Sequence, residues 1–297
     1  MTRTSVVVVA FRSADHLERG LPPVMADPDV GDIVVVDCSS DPRTAEVVAR
    51  TGGRVRYVDP GENLGFARGC NLGYRLTGDP VVTFLNPDVL LQRGLGELVK
   101  ACLTDGSMVA GGGLASGTDE SLLLNARRPA TLRNELGRAV LGARASQDRR
   151  QFGTATTPVA QVDGAFLMAA RTFLDELQGF DERFELYFED VDLCHRARER
   201  GHVVMDTRRY GTHAGGASSR TVAAPSYWVF RVSRVRYFAK RAGLPGAGAA
   251  VLISAVELVV RTVTRQPEGW SVRLRALLLG GQELVRPGSV RVLPGKE

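Results

Sequence analysis

Three carboxylates crowd one short segment, FELYFEDVDLCHR at Phe184–Arg196: Glu189, Asp190 and Asp192. They open a stretch with helical spacing that runs to Arg200 and stops at Gly201, a common C-terminal helix signal. Acids at a helix start complement its dipole, and that alone would account for them. Tyr187-Phe188 immediately precedes them, however, so the acids emerge from a packed surface. A carboxylate in a partly apolar cleft can hold a pKa suited to taking up a proton. A second pattern is FLNPD at Phe84–Asp88, which puts Asn86 and Asp88 at the carboxyl edge of a buried strand. Hard divalent cations take one or two carboxylates together with substrate phosphates, while a plain proline turn is the alternative. His213, followed by Ala-Gly-Gly-Ala-Ser, fits either a structural histidine or a metal ligand on a flexible loop.

Two further segments could bind a ligand. In ENLGFARGCN (Glu62–Asn71), Gly65 and Gly69 permit close backbone approach, Arg68 offers a fork for phosphate, and Asn63 and Asn71 offer amide hydrogen bonds. The same letters also fit a turn before a helix. Asp37-Cys-Ser-Ser-Asp41 closes an apolar run, and Ser40 or Asp41 would serve as a helix N-cap.

The elements that must position these groups alternate along the first hundred residues. Strands are expected at Ser5–Ala10, Asp32–Asp37, Arg54–Val58, Pro80–Leu85 and Ser107–Gly111. Helices are expected at Ala14–Met25, Pro42–Thr51, Phe66–Leu76 and Gln92–Leu103. Such alternation implies an α/β fold with a doubly wound, mostly parallel sheet, whose ligands sit beyond the carboxyl ends of the strands. Asp37 and Asn86-Pro87-Asp88 fall there. From Leu114 to Pro158 the pattern is irregular apart from a helix near Leu132–Leu141. Order returns at Val159–Val162 and Ala165–Ala170. After His213 the composition changes: aromatics and arginines interleave from Tyr227 to Arg241, Gly243–Gly248 breaks the chain, and an apolar helix follows over Ala249–Val263.

Composition narrows the classes. The chain has 297 residues, 44% hydrophobic and 24% charged, which excludes wholesale disorder. Its four scattered cysteines form no CxxC pair, so a disulfide scaffold and a zinc ribbon are not expected, and reduced thiols are. The formal charge is +5, carried almost wholly by arginine, with no lysine tract and no nucleic-acid reader motif. An anionic substrate or an acidic lipid surface accounts for it better. Val6–Val9 is too short for a signal peptide. Glu257 and Arg261 interrupt the longest apolar stretch, so no clean spanning segment is expected. A dinucleotide dehydrogenase would need GxGxxG after the first strand, where Ala10-Phe-Arg-Ser-Ala14 stands instead.

Taken in order, VVVVAFRS, VVVDCSSD, NLGFARGCN, FLNPD, VDGAFLMAAR, GFDERFELYFEDVDLCHRARERG and HAGGAS, spanning about Ser5 to Ser218, resemble the inverting family 2 glycosyltransferases of the GT-A fold. The likeness is greatest to the rhamnosyltransferase-like branch. Two letters depart from the family pattern: Asp37-Cys38 stands for Asp-Asn, and Gly-Cys-Asn71-Leu-Gly for the NNxG-like segment. The resemblance implies a GT-A domain over 1–218 with a C-terminal helical region over 219–297. It implies that Asp37 meets a pyrimidine base, that Asn63, Gly65, Arg68 and Asn71 contact the nucleotide, and that Asp88, with Asn86 in place of a first acid, and His213 serve Mg²⁺ or Mn²⁺. Asp190 would be the base, with Glu189 and Asp192 as fallbacks. The implied reaction moves a sugar such as rhamnose from a dTDP- or UDP-type nucleoside-diphosphate sugar to a hydroxyl of a cell-envelope glycan or polyprenyl-linked acceptor. A cytoplasmic enzyme is implied, with residues 219–297 touching the inner membrane face or forming a homodimer contact. Tailoring of a soluble natural product is an alternative. A non-catalytic sugar-nucleotide or glycan binder is another, disfavoured because Asp88, Asp190 and His213 are present.

Overall fold

The first apolar run is covered on both sides. Val6, Val8 and Ala10 pack with Leu17 and Leu21 on one face of the sheet, and Val7 packs with Ala67, Cys70 and Tyr74 on the other. This is why the run shows no polar alternation: a strand buried on both faces needs none. The computed structural model describes residues 2–104, 106–116, 122–123, 125–148, 152–213, 223–264, 270–286, 288 and 290.

Strands β1 (Thr4–Ala10), β2 (Val30–Asp37), β3 (Val55–Val58) and β4 (Val81–Leu85) alternate with helices α1 (Ala14–Ala26), α2 (Pro42–Ala49) and α3 (Gly65–Arg75). After β4 come a short strand β5 (Val89–Leu91), helix α4 (Gly96–Cys102) and β6 (Ser107–Ser116). Two-residue strands β7 (Leu122–Leu123) and β8 (Ala126–Arg127) lead to α5 (Leu132–Leu141), β9 (Thr156–Pro158), β10 (Gln161–Val162) and β11 (Phe166–Ala170). Helices α6 (Arg171–Leu177) and α7 (Glu189–Arg198), strand β12 (His202–His213), a long helix (Ala223–Val263) and a further helix (Trp270–Val285) follow among the described residues. The main sheet runs β3-β2-β1-β4-β11-β6-β12-β5. Its first four strands are mutually parallel, and β11 enters antiparallel between β4 and β6. The expected α/β architecture is therefore present, as a mostly parallel but mixed sheet with a C-terminal helical extension.

Helix α3 lies unusually close to the sheet. A Cβ on Gly73 would stand 2.3 Å from Cγ1 of Val7, and one on Gly69 would stand 2.9 Å from Cγ1 of Val9. These two glycines, one turn apart, form the seam between helix and strand. Gly69 is therefore a packing residue here rather than an approach path for a ligand.

The C-terminal region departs from expectation in one respect. The stretch 244–248 is helical, and non-helical dihedrals are confined to Ala242 and Gly243, the latter at φ 61°. Pro245 falls in the first turn after that kink, where its missing N–H costs nothing. The break is thus a two-residue kink, and the second helical piece begins at 244. Within Tyr227–Val263 one window is long and apolar enough by composition to cross a membrane, with mean hydropathy 1.8. Glu257 and Arg261 do not prevent this, and Glu257 is buried against Arg231 and Arg234.

Candidate active site

A cleft of about 640 Å³ opens beyond the carboxyl end of β4. Asn86, Asp163, Gly164, Glu189 and Asp190 line it, together with Phe66, Tyr187 and Phe188. The chain reaches the acids through two consecutive left-handed residues, Tyr187 at φ 65° and Phe188 at φ 69°. Bulky side chains rarely adopt that conformation, and such strain concentrates at functional sites. Burial of Phe184 and Phe188 against Tyr237 and Phe238 of the long helix holds the turn in place.

The three acids have different surroundings. Asp192 is 1% exposed; it accepts from Nε of Arg196 at 2.7 Å and from the Lys240 ammonium, so it ties α7 to the long helix. Glu189 is buried, and burial, with the neighbouring Asp190 charge, raises its pKa well above the carboxylate range. Burial thus favours its neutral form, and its Oε2 has no partner among the described residues. Asp190 faces the cleft. Its Oδ2 accepts from the Gly164 N–H at 2.9 Å and its Oδ1 from the Val191 N–H at 2.7 Å. Burial and the nearby Asp163 charge push its pKa up to about 6, against the pull of those two amides and of Arg127. Of the three, Asp190 alone is both ionisable near neutrality and open to a ligand.

Asp163 and Arg127 were not singled out in the sequence, although VDGA was part of the motif set. They form a two-pronged ion pair, with Nε and Nη2 of Arg127 at 2.8 and 2.6 Å from the carboxylate. The antiparallel β8–β10 pairing places them side by side.

A second pair forms at the sheet edge. Antiparallel pairing of β12 with β5 sets His213 opposite Val89, which brings His213 Nε2 to 3.2 Å from Asp88 Oδ1. Burial works against ionisation of Asp88, but the hydrogen bond and charge of His213 outweigh it and hold the carboxyl below its usual range. Asp88 and His213 do not line the cleft that holds Asp190; Asn86, two residues before Asp88, does. Residues 214–222, which include the rest of the HAGGAS segment and the 218/219 boundary, lie outside the described residues.

The nucleotide-segment residues divide. Gly65 sits at φ 75°, a backbone conformation that favours glycine, and its N–H donates to Oδ1 of Asn63 at 3.1 Å. Arg68 is exposed and reaches Glu62 at 3.4 Å, so its guanidinium remains accessible. Asn71 is different. It is 1% exposed; its amide donates to the Phe180 carbonyl at 2.9 Å and its Oδ1 accepts from the Phe180 N–H at 2.8 Å. It clamps the loop before α7 onto α3 and offers no group to a nucleotide. Asp37 is likewise consumed. It is fully buried; one oxygen accepts from Ser39 N–H and Oγ at 2.9 and 2.6 Å, the other from Asp41 N–H and Tyr57 OH at 2.8 and 3.0 Å. A carboxylate has about four acceptor positions, and all are filled, so the side chain builds the β2–α2 turn instead of meeting a base. Asp41 is the N-cap of α2, accepting from the Arg43 N–H at 3.0 Å.

The glycosyl transferase family 2 model matches residues 5–162. The chain is 26% identical over 258 residues to the N-acetylglucosaminyl-diphospho-decaprenol L-rhamnosyltransferase of Mycobacterium tuberculosis, covering 77% of this chain and 84% of that protein. It is 22% identical over 249 residues to the rhamnosyltransferase WbbL of Escherichia coli, covering 80% and 92%. Among solved structures it resembles a mannosyltransferase from Pyrobaculum calidifontis in complex with GDP-Man and Mn²⁺, with TM-score 0.55, 15% identity and coverage of 96% and 87%. GalNAc-T7 with UDP, GalNAc and Mn²⁺ superposes at TM-score 0.57 and 15% identity, over 72% of this chain and 44% of that one. These likenesses to solved structures extend the GT-A architecture across the described sheet, and the family match covers more than half the chain. The chain belongs to glycosyl transferase family 2 and is a rhamnosyltransferase-like glycosyltransferase.

Proposed function

We propose that the chain transfers a sugar, rhamnose or a related deoxysugar, from a dTDP- or UDP-type nucleoside diphosphate to a hydroxyl of a polyprenyl-linked cell-envelope acceptor, with inversion. The observation that carries this reading is Asp190: a carboxylate with a pKa near 6, held by two backbone amides, in a cleft large enough for a sugar. The acceptor identity draws further support from the Mycobacterium tuberculosis relative, whose name specifies a diphospho-decaprenol acceptor.

In this mechanism Asp190 takes the proton of the acceptor hydroxyl as that oxygen bonds to the anomeric carbon. The bond from that carbon to the nucleoside diphosphate breaks in the same step, so a single displacement inverts the centre. Arg127 and Asp163 set the charge around the base. Glu189, a lining residue whose burial favours the protonated carboxyl, supports the cleft wall beside the base. Arg68 and the Asn63–Gly65 turn face the nucleotide.

The donor set at Asp88 and His213 fits Mg²⁺ or Mn²⁺: one carboxylate kept ionised and one imidazole, 3.2 Å apart. Among the described residues no third metal-ligating side chain joins them, which suits an ion completed by substrate diphosphate and water. A divalent cation bound there would neutralise charge on the leaving diphosphate.

The long helix supports membrane proximity. Leu252, Val256, Val259 and Val263 are all exposed and fall at spacings that share one helical face. The same helix supplies Tyr227, Phe230, Arg231 and Arg261 to the cleft wall, so residues after 218 complete the acceptor side. A cytoplasmic enzyme resting at the inner membrane face follows from this reading. A screen of nucleotide sugars with a short-chain polyprenyl-diphosphate N-acetylglucosamine acceptor, read by product mass, tests the function. The expected product gains one deoxyhexose in the presence of Mg²⁺ or Mn²⁺. A product on no lipid-linked acceptor, with transfer to a soluble aglycone instead, would contradict it.

A further inference from the structure

One cleft wall is built from α5 and the long helix, and among the described residues its arginines outnumber its carboxylates. Four guanidinium groups meet there: Arg138, Arg231 and Arg261 line the cleft, and Arg234 lies fully buried behind them. Two carboxylates, Glu135 and Glu257, answer them. Glu257 binds Arg231, reaches Nη2 of Arg234 at 3.3 Å and accepts from Nε of Arg261 at 3.0 Å. Glu135 lies 3.4 Å from Nη1 of Arg234. Arg138 is left over. Its nearest carboxylate oxygen is 4.0 Å away, on Glu135, and it has no hydrogen-bond partner among the described residues. Its guanidinium instead lies 3.8 Å above the Phe230 ring, with the side chain 19% exposed. Burial pushes Arg138 down to about 10, and the Arg231 and Arg234 charges add to that, against the pull of Glu135 and Glu257. Partly buried cations in excess of their partners cost free energy unless a ligand supplies the missing negative charge.

We infer that this wall is a binding site for an organic diphosphate, with Arg138 as its principal donor and Arg231 and Arg261 beside it. An organic diphosphate carries at least two negative charges, which would answer Arg138 and supplement the single Glu257 carboxylate shared by Arg231, Arg234 and Arg261, and the planar fork of arginine suits its oxygens. Leu141, one turn on from Arg138 along the same face of its helix, is 76% exposed. That apolar surface fits the hydrocarbon tail of a prenyl diphosphate better than the ribose and base of a donor nucleotide. The assignment rests on reading the Asp190 cleft as the acceptor cleft, and it names the acceptor's diphosphate as the group that sets specificity.

Calorimetric titration of the full chain with farnesyl diphosphate, at saturating nucleoside diphosphate and Mn²⁺, tests this directly. Farnesol and inorganic pyrophosphate serve as comparators. The site predicts that farnesyl diphosphate binds while the nucleotide is already in place, and that farnesol does not bind. Arg138→Gln weakens it by about tenfold or more, the scale of a lost charge-assisted hydrogen bond, and Arg138→Lys falls between. Arg138→Gln gives up the Phe230 contact and at the same time relieves a poorly compensated charge, opposing effects that should leave both variants within a few degrees of the wild-type melting temperature. Binding abolished by saturating nucleotide would place the diphosphate in the donor pocket and overturn the inference. Equal affinity of wild type and Arg138→Gln would do the same. The readout is binding rather than turnover, so failure here leaves the Asp190 assignment standing, and failure of that assignment is detected separately by its own kinetics.

Discussion

Asp163 and Arg127 act on the same base with opposite sign, and this gives a sharp test. Asp190 stands at about 6 against 3.8 for an ordinary aspartate, with burial as the leading cause and the Asp163 charge second. Asp163→Asn removes the second cause, and frees Arg127 to pull harder on Asp190. The burial contribution stays. We expect the acid limb of the pH–rate profile to move down by about one pH unit, worth about 1.4 kcal/mol. The sign follows from the chemistry: the base works only when ionised, so the wild-type rate falls as pH drops through about 6. At pH 5 roughly a tenth of wild type would be ionised, against roughly half of the variant, so the variant gains relative to its own plateau. The plateau itself falls several-fold because a weaker base takes the proton less readily. Arg127→Gln must do the reverse and move the limb up. The ion-paired side chains are 30% and 21% exposed, so either change also costs on the order of 1–3 kcal/mol of stability. Melting curves for both variants set the temperature at which kcat/KM is measured across pH 4.5–8.5. Two limbs that move in the same direction, or neither moving, would refute the electrostatic account of Asp190.

Further consequences follow from other contacts. Asp88→Ala should abolish any strengthening of nucleoside-diphosphate binding by Mn²⁺, seen by calorimetry with and without EDTA. Equal affinities in all four conditions would remove the metal from that pair. Asp192→Asn loses charge toward Arg196 and Lys240, so it should lower the melting temperature while costing far less in kcat than a change at Asp190. Gly73→Ala presses a methyl onto Val7, 2.3 Å away; overpacking of about 1–3 kcal/mol outweighs the helix-propensity gain of about 1, and thermal unfolding should fall by a few degrees.

The sheet was legible where burial left a mark on composition. Val6–Ala10 and Ile33–Asp37 are continuous apolar runs because helices cover both faces, and strand–helix alternation then implies the parallel order. Strand β12, which lies between β6 and β5, was not legible. His202–His213 mixes arginine, aspartate and threonine because it pairs along β6 with shifts in register, and that irregularity breaks any two-residue period. The glycines at 243–248 resembled a break, yet five of those six residues are helical because Pro245 starts the second piece and Ala247 packs into the Phe184–Phe238 cluster. The site residues show a different limit. Residue type marked Asp37 and Asn71 as polar groups in the right place, but only coordinates reveal that Ser39, Asp41, Tyr57 and Phe180 already saturate them. The three acids of α7 look equivalent in sequence and are separated only by what surrounds them. Asp88 and His213, 125 positions apart in the chain, meet through strand pairing that no local pattern encodes.

The central claim is that Asp190 takes the acceptor proton. Single-turnover transfer from a labelled nucleotide sugar, compared between wild type and Asp190→Asn, measures that step. The account predicts a fall of about 10²–10⁴-fold in the rate of transfer, with nucleoside-diphosphate affinity unchanged because Asp190 does not bind the donor. An Asp190→Asn enzyme that turns over within a few-fold of wild type, while Glu189→Gln or Asp192→Asn does not, would contradict it.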